Sequence, residues 1–210
     1  MHVPWGIVMM AAIASGFFAN YAAAQHVITD QVLITSGQGE LFGLTSGAGI
    51  ARKILAASEN VLVIEAKGVT GFVQTNKRLL GFSGRLKRWV DLPLATGEQI
   101  LKWIVTPRMI VVQGRVAAYG FQSDLGRWKK EVWGAGESFR ENMVDDYVGV
   151  MVTDRRVLGF SALTGGFFSR DIPSGNRIVD IEINDNVVVI HLRLRKLVFR
   201  SGLAIWVELP

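Results

Sequence analysis

Phe72-Val73-Gln74-Thr75-Asn76-Lys77-Arg78-Leu79-Leu80-Gly81-Phe82-Ser83 returns further along the chain as Val150-Met151-Val152-Thr153-Asp154-Arg155-Arg156-Val157-Leu158-Gly159-Phe160-Ser161. A looser copy runs from Val111 to Phe121, and another from Val189 to Phe199. The phenylalanines Phe82, Phe121, Phe160 and Phe199 therefore stand 39 residues apart. Phe42, 40 residues before Phe82, is the candidate fifth member, preceded by Val32-Leu33-Ile34-Thr35. A period of this size is the mark of supersecondary units stacked on one another.

Other columns keep the same period. An aromatic follows each of the last four phenylalanines by seven residues: Trp89, Trp128, Phe167 and Trp206. Glu98, Glu137 and Asn176 follow by sixteen, and Glu59 holds the matching place after Phe42. Between these columns lie short runs rich in Val, Ile, Phe and Trp, separated by Gly, Asn and Asp, which is strand-and-hairpin punctuation. Each unit reads as four strands, A to D. A is exemplified by Val61–Ala66, Ile100–Val105 and Ile178–Ile183. B is exemplified by Gly71–Gln74, C by Leu79–Phe82 and D by Trp89–Leu92. No helical period longer than two turns follows residue 25.

Four antiparallel strands in each unit of about 40 residues are the pattern of a β-propeller blade. The chain from about residue 27 to 210 resembles the β-propeller class. The expectation is an all-β, five-bladed propeller of four-stranded antiparallel blades, in which ring closure would remove exposed sheet edges. The first unit begins at its B strand, so blade one has three strands unless residues before His26 add a fourth. No Trp-Asp, kelch or other named blade signature is present, so no family function follows. The Gly-Phe-Ser endings match no motif of known role. The competing architecture is a pair of small β-barrels, because Thr75 to Leu80 resembles a strand pair of bacterial pleckstrin-homology-like domains. That fold needs a closing helix in each half, and Thr96–Trp103 is the one candidate.

Residues 3–24 carry no charged side chain and end in Ala22-Ala23-Ala24. They read as an N-terminal hydrophobic helix, either a signal peptide cleaved before Gln25 or a transmembrane anchor. As a helix they would span about 33 Å, enough for a bilayer core. Pro4 and Gly6 sit near its start, where proline is tolerated. The expected organisation is thus a segment 1–24 and a β-propeller domain 25–210, placed in a periplasm-like space across the inner membrane. The chain has no cysteine, so neither disulfides nor thiol chemistry are available. Its net charge of +5 is a modest basic excess that suits an acidic protein or lipid surface. Nucleic acid is excluded as a partner, because the basic residues are spread over five units rather than gathered in one stripe.

Candidate site residues fall into three groups. Glu59, Glu98 and Glu137 lie in D–A loops, on the same end as the B–C residues Lys77, Arg78, Arg115, Arg155 and Arg156. They could form channel-mouth carboxylates holding a divalent cation. A role repeated in every unit is more often architectural, with each glutamate pairing with arginine or capping its loop. Arg85, Lys87, Arg88, Trp89 and Arg127 mix charge with aromatic surface at the opposite end and could dock an acidic partner or lipid headgroups. A solvated edge is the plainer reading. Trp103 and Trp133 stand outside the aromatic column and are candidates for a unique contact. Trp89, Trp128 and Trp206 could stack on sugars, although aromatics at a repeated strand position more often fill the seams between blades.

Catalytic constellations are absent. No histidine pair has metal-ligand spacing, no Gly-x-Ser-x-Gly elbow accompanies His191, and no glycine-rich phosphate loop precedes a helix. No cofactor or metal is expected. The sequence points to a non-catalytic, protein-binding scaffold, an accessory or assembly subunit of a membrane protein complex or a binder of another periplasmic protein, in membrane contact through residues 3–24. The alternative is a periplasmic glycan-binding, lectin-like propeller. A carbohydrate hydrolase using paired carboxylates at the channel mouth is the third and weakest reading.

Overall fold

A computed structural model describes residues 31–47, 49–173 and 175–210. The expected segment 1–24, and any strand supplied before His26, lie outside the described residues. Among the described residues, no helix is long and apolar enough to cross a membrane.

The described residues form nineteen strands in five antiparallel sheets, in strict chain order. Blade one holds β1 (Val32–Gly37), β2 (Glu40–Thr45) and β3 (Ile50–Ile54). Blade two holds β4 (Val61–Lys67), β5 (Thr70–Thr75), β6 (Arg78–Ser83) and β7 (Arg88–Pro93). Blade three holds β8 (Ile100–Val105), β9 (Met109–Gly114), β10 (Ala117–Gln122) and β11 (Arg127–Val132). Blade four holds β12 (Phe139–Val144), β13 (Val148–Thr153), β14 (Arg156–Ser161) and β15 (Gly166–Asp171). Blade five holds β16 (Ile178–Asn184), β17 (Val187–Leu192), β18 (Lys196–Arg200) and β19 (Ile205–Leu209). Blade one supplies strands B, C and D; the other four supply A to D. The described residues are all-β, and the chain is of the β-propeller class.

Three sequence readings change. Thr96–Trp103 is no helix, because Ile100–Val105 is strand A of blade three. It is the closing-helix candidate of the competing two-barrel architecture, and Ile100–Val105 pairs instead with β9, as the strand reading of the same stretch expects. Phe139–Val144 is strand A of blade four, hidden in sequence by its charged and polar residues Arg140, Glu141 and Asn142. Phe42 does not belong to the phenylalanine column. The register pairs Leu44 with Ile50 as it pairs Phe82 with Trp89, so Leu44 is the member and Gly43 aligns with Gly81.

That register explains the Gly-Phe pairs. Successive C-strand side chains point to opposite sheet faces, so the glycine faces the following blade and the phenylalanine the preceding one. A Cβ added at Gly43 would lie 2.7 Å from the Phe82 ring, one at Gly81 2.6 Å from Phe121, and one at Gly159 2.6 Å from Phe199. Gly120 meets Phe160 more closely still. Each phenylalanine is a knob seated in a socket that only glycine leaves open. All four rings are fully buried. Each also lies 4.8 to 5.1 Å, centroid to centroid, from the D-strand aromatic of its own blade, within the range of favourable aromatic pairs.

The hydrophobic clusters follow the seams. One joins blades one and two through Ile34, Leu41, Leu80 and Phe82. The next joins blades two and three through Phe72, Leu79, Ala117 and Phe121. A third joins three and four, and a fourth joins four and five through Val150, Val157, Ile190 and Phe199. Among the described residues, no core cluster, hydrogen bond or ion pair joins blade one to blade five.

Candidate functional site

The carboxylates are built into their own blades. Glu59 accepts hydrogen bonds from the Ala56 N–H at 2.9 Å, the Thr75 hydroxyl at 2.9 Å and Arg78 Nε at 2.7 Å. Glu137 accepts from the Gly134 N–H at 2.5 Å and from Arg156 Nε at 2.9 Å. Glu98 has no arginine opposite it, because Ala117 stands where Arg78 and Arg156 stand. It accepts instead from the Tyr119 hydroxyl at 2.5 Å and the Val116 N–H at 3.2 Å. Each glutamate thus ties the D–A loop to the B–C turn of the same blade. Burial pushes the Glu137 carboxyl up, but hydrogen bonds from Arg156 and Gly134 outweigh it and bring the carboxyl to about 2. Glu59 is likewise held below the usual carboxylate range, where burial is outweighed by Arg78, the Ala56 N–H and Thr75. Burial, joined by the bond to Glu98, pushes the Tyr119 phenol up. Carboxylates so committed to local donors offer few free lone pairs to a cation.

The arginines also reach backward. Arg78 donates to the Ile54 carbonyl of blade one at 3.3 Å and meets Asp91 at 2.5 Å. Arg156 donates to the Val132 carbonyl of blade three at 2.9 Å. Both join neighbouring blades as well as closing their own loops.

The basic group at the other end is largely latched. Arg85 pairs with Asp124 at 3.0 Å. Arg88 donates to the Leu125 and Gly126 carbonyls at 3.3 Å, and Arg127 donates to Thr164. Each cation holds the C–D hairpin of the following blade. Lys87 occupies a left-handed turn position, φ 51°.

The five described tryptophans are half-buried, with their indole N–H groups in use. Trp89 donates to Ala51 at 2.9 Å, Trp128 to Val90 at 3.0 Å and Trp206 to Phe168 at 2.7 Å. Each bond crosses one seam to the D strand of the preceding blade. Phe167 keeps the ring in this column without the donor. Trp133 donates to Gly114 at 3.0 Å and Trp103 to Glu65 at 2.8 Å, so these two also serve packing. An indole used this way fixes blade against blade.

Three further features were not singled out from the sequence. A cleft of about 710 Å³ opens between strands A of blades four and five. Arg140, Arg177, Glu141, Asp154 and Asp180 line it with mixed charge. Asp180, Glu182 and His191 bring ligand atoms within 4.8 Å of one another on blade five, with His191 Nε2 2.8 Å from Glu182. Both acids are solvated on a flat sheet face, the setting of an ordinary histidine–carboxylate pair.

The third feature is the pair of outer faces. Leu33, Ile50 and Ile54 on the free face of blade one are 61%, 70% and 65% exposed. Ile205, Val207 and Leu209 on the free face of blade five are 47%, 37% and 43% exposed. Sequence reasoning missed these faces because it assumed a closed ring. The signal was present: the first unit lacks the aromatic column, and the last has Val198 where the others have glycine.

No protein-family model matches the chain. No curated protein matches it either. Solved structures of the same general class do. The 644–1017 region of HIRA is 12% identical, with a TM-score of 0.39, and the match covers 86% of this chain and 54% of that one. The N-terminal domain of Nup159 is 10% identical, with a TM-score of 0.34, over 81% of this chain and 55% of that one. The extracellular domain of a hybrid two-component system from B. thetaiotaomicron is 10% identical, with a TM-score of 0.36, over 80% and 27%. The chain spans about half the length of these matched structures or less. Likenesses this distant extend to the fold alone.

Proposed function

We propose that this chain is a non-catalytic protein-binding scaffold, an accessory or assembly subunit of a membrane complex on the periplasmic side of an inner membrane. The observation that carries the binding role is the contrast in burial between the seams and the two ends. Every residue of β9, β10 and β13 is buried, whereas the terminal faces leave large aliphatic side chains in water. Exposed apolar surface on this scale, repeated on one sheet face, marks an interaction site. The uncharged stretch 3–24 supports the membrane-side placement. The glycan-binding alternative loses ground because the tryptophans that would stack on sugars fill the seams.

Site-specific photo-crosslinking in native membranes tests the reading. A crosslinker at Ile54 is expected to trap a protein, and one at Leu62, on an edge strand, far less. No adduct from either terminal face, or hydrolysis of an oligosaccharide by the purified chain, would overturn it. Fractionation with mass spectrometry of the N-terminal residue tests placement. Met1 in the membrane fraction means an anchor, Gln25 in the periplasm means a cleaved leader, and a cytosolic chain contradicts both.

A further inference from the structure

The four internal seams share one polarity. Every blade turns its socket face toward the following blade and its knob face toward the preceding one. The stack therefore ends in two unlike surfaces: the knob face of blade one and the socket face of blade five. A repeat that ends a stack in water is expected to carry a polar outer face. Both ends instead mix charge with exposed aliphatic surface: Leu33, Ile50 and Ile54 beside the Glu40–Arg52 pair on blade one, and Ile205, Val207 and Leu209 beside Lys196 and Arg200 on blade five.

Three columns change at one or both ends. At the knob position blade one has Leu44 in place of phenylalanine; at the socket position blade five has Val198 in place of glycine. The knob is shorter where the socket is filled. In the indole column blade one has Ile50, and in the carbonyl column that receives the indole N–H blade five has Val207. The indole donor is thus lost at blade one, while Val207 continues the apolar column of Ala51, Val90 and Phe168. Leu79 and Ala117 meet in the core of the second seam, and their equivalents at the ends are Lys196 on blade five and Glu40 on blade one. Opposite charges thus stand at the two ends, where the internal seams set Ala117 or an arginine (Arg78, Arg156) in the Glu40 column, and Glu40 also holds Arg52 of its own blade.

We infer that the socket face of blade five receives the knob face of blade one from a second copy of this chain, head to tail. This inference rests on the scaffold reading and names the partner of the terminal faces. The contact would continue the established seams with the same polarity, placing Ile50 of one copy beside Val207 of the other, as Trp89 lies beside Ala51. A head-to-tail contact is heterologous, so it yields a ring if its rotation closes and a filament if it does not.

The lack of native cysteine makes the test clean. Full-length Ile50→Cys and Val207→Cys chains are prepared separately in membranes, mixed and oxidised. Both positions are exposed, and near-ultraviolet circular dichroism checks that each variant keeps its packing. The expected result is at least tenfold more disulfide-linked dimer in the mixture than in either variant alone. Equal dimer in one variant alone would mean a face meeting its own kind and would overturn the proposal. So would a bond within a single chain carrying both cysteines, which would mean ring closure, and so would no bond in the mixture. If the mixture gives no dimer while a crosslinker at Ile54 traps a different protein, the second copy is rejected and the scaffold reading stands. If neither gives a product, both fall.

Discussion

Blade three and blade one have the same C-strand register yet opposite surroundings. The central strands of blade three are buried on both faces, while β1 alternates, with Val32 and Ile34 buried and Leu33 and Thr35 exposed. Blade three has neighbours on both sides, and each seam has its own glycine socket and phenylalanine knob. Blade one has a socket for the following blade but no aromatic knob on its free side. Residue choice in this chain therefore tracks the neighbour a face meets, more than the strand it belongs to.

The contrast can be broken most directly at the knobs. Phe160→Ala empties a fully buried socket, and the expected loss of stability is about 3–5 kcal/mol in urea unfolding. A loss near zero would mean the middle seams tolerate a void. Filling the socket is the reverse test. Gly120→Val forces a side chain into the Phe160 ring, and overpacking of this kind costs about 1–3 kcal/mol or more.

The loop tie of blade four can be tested by pH. The folded-state carboxyl of Glu137 titrates at about 2, below its unfolded value. Its stabilisation is therefore fully present above the unfolded value near 4.5 and is lost as pH falls toward about 2. Unfolding curves taken across that window should steepen for the wild type and flatten for Glu137→Gln. An unchanged pH profile would show that the Arg156 pair contributes nothing to stability.

Trp128→Phe keeps a ring in the seam and removes the bond to Val90; a loss of about 0.5–1.5 kcal/mol is expected. The smallest effect belongs to the free end. Leu44→Phe restores the phenylalanine column where no preceding socket exists in the same chain, and the expected change in monomer stability is within about 0.5 kcal/mol. A large gain there would reveal a neighbour on the outer face of blade one.

Much of this was legible beforehand. Hydrophobic runs of strand length, broken by turn residues at a fixed period, dictate local hairpins, and the hairpins of one unit can bury their faces only against the next. The glutamates, set at the same end as Arg78 and Arg156, were read either as architectural ties or as a channel-mouth ring; their hydrogen bonds are local. The basic residues at the other end were harder. Arg88 and Arg127 look like a free cationic surface until the following hairpin is placed under them. Phe42 was misplaced because the first spacing is judged correctly only when Gly43 and Leu44 are seen in register.

The sequence by itself determined the repeat, the strand order and the all-β class, because periodicity and turn chemistry act within some forty residues of chain. Only the tertiary structure decided which side chain faces which neighbour. Gly43 and Phe82 are far apart in sequence, and their fit depends on the distance and angle between two sheets. The exposure of the end faces was likewise decided only there, since burial belongs to the space around a residue and not to the residue.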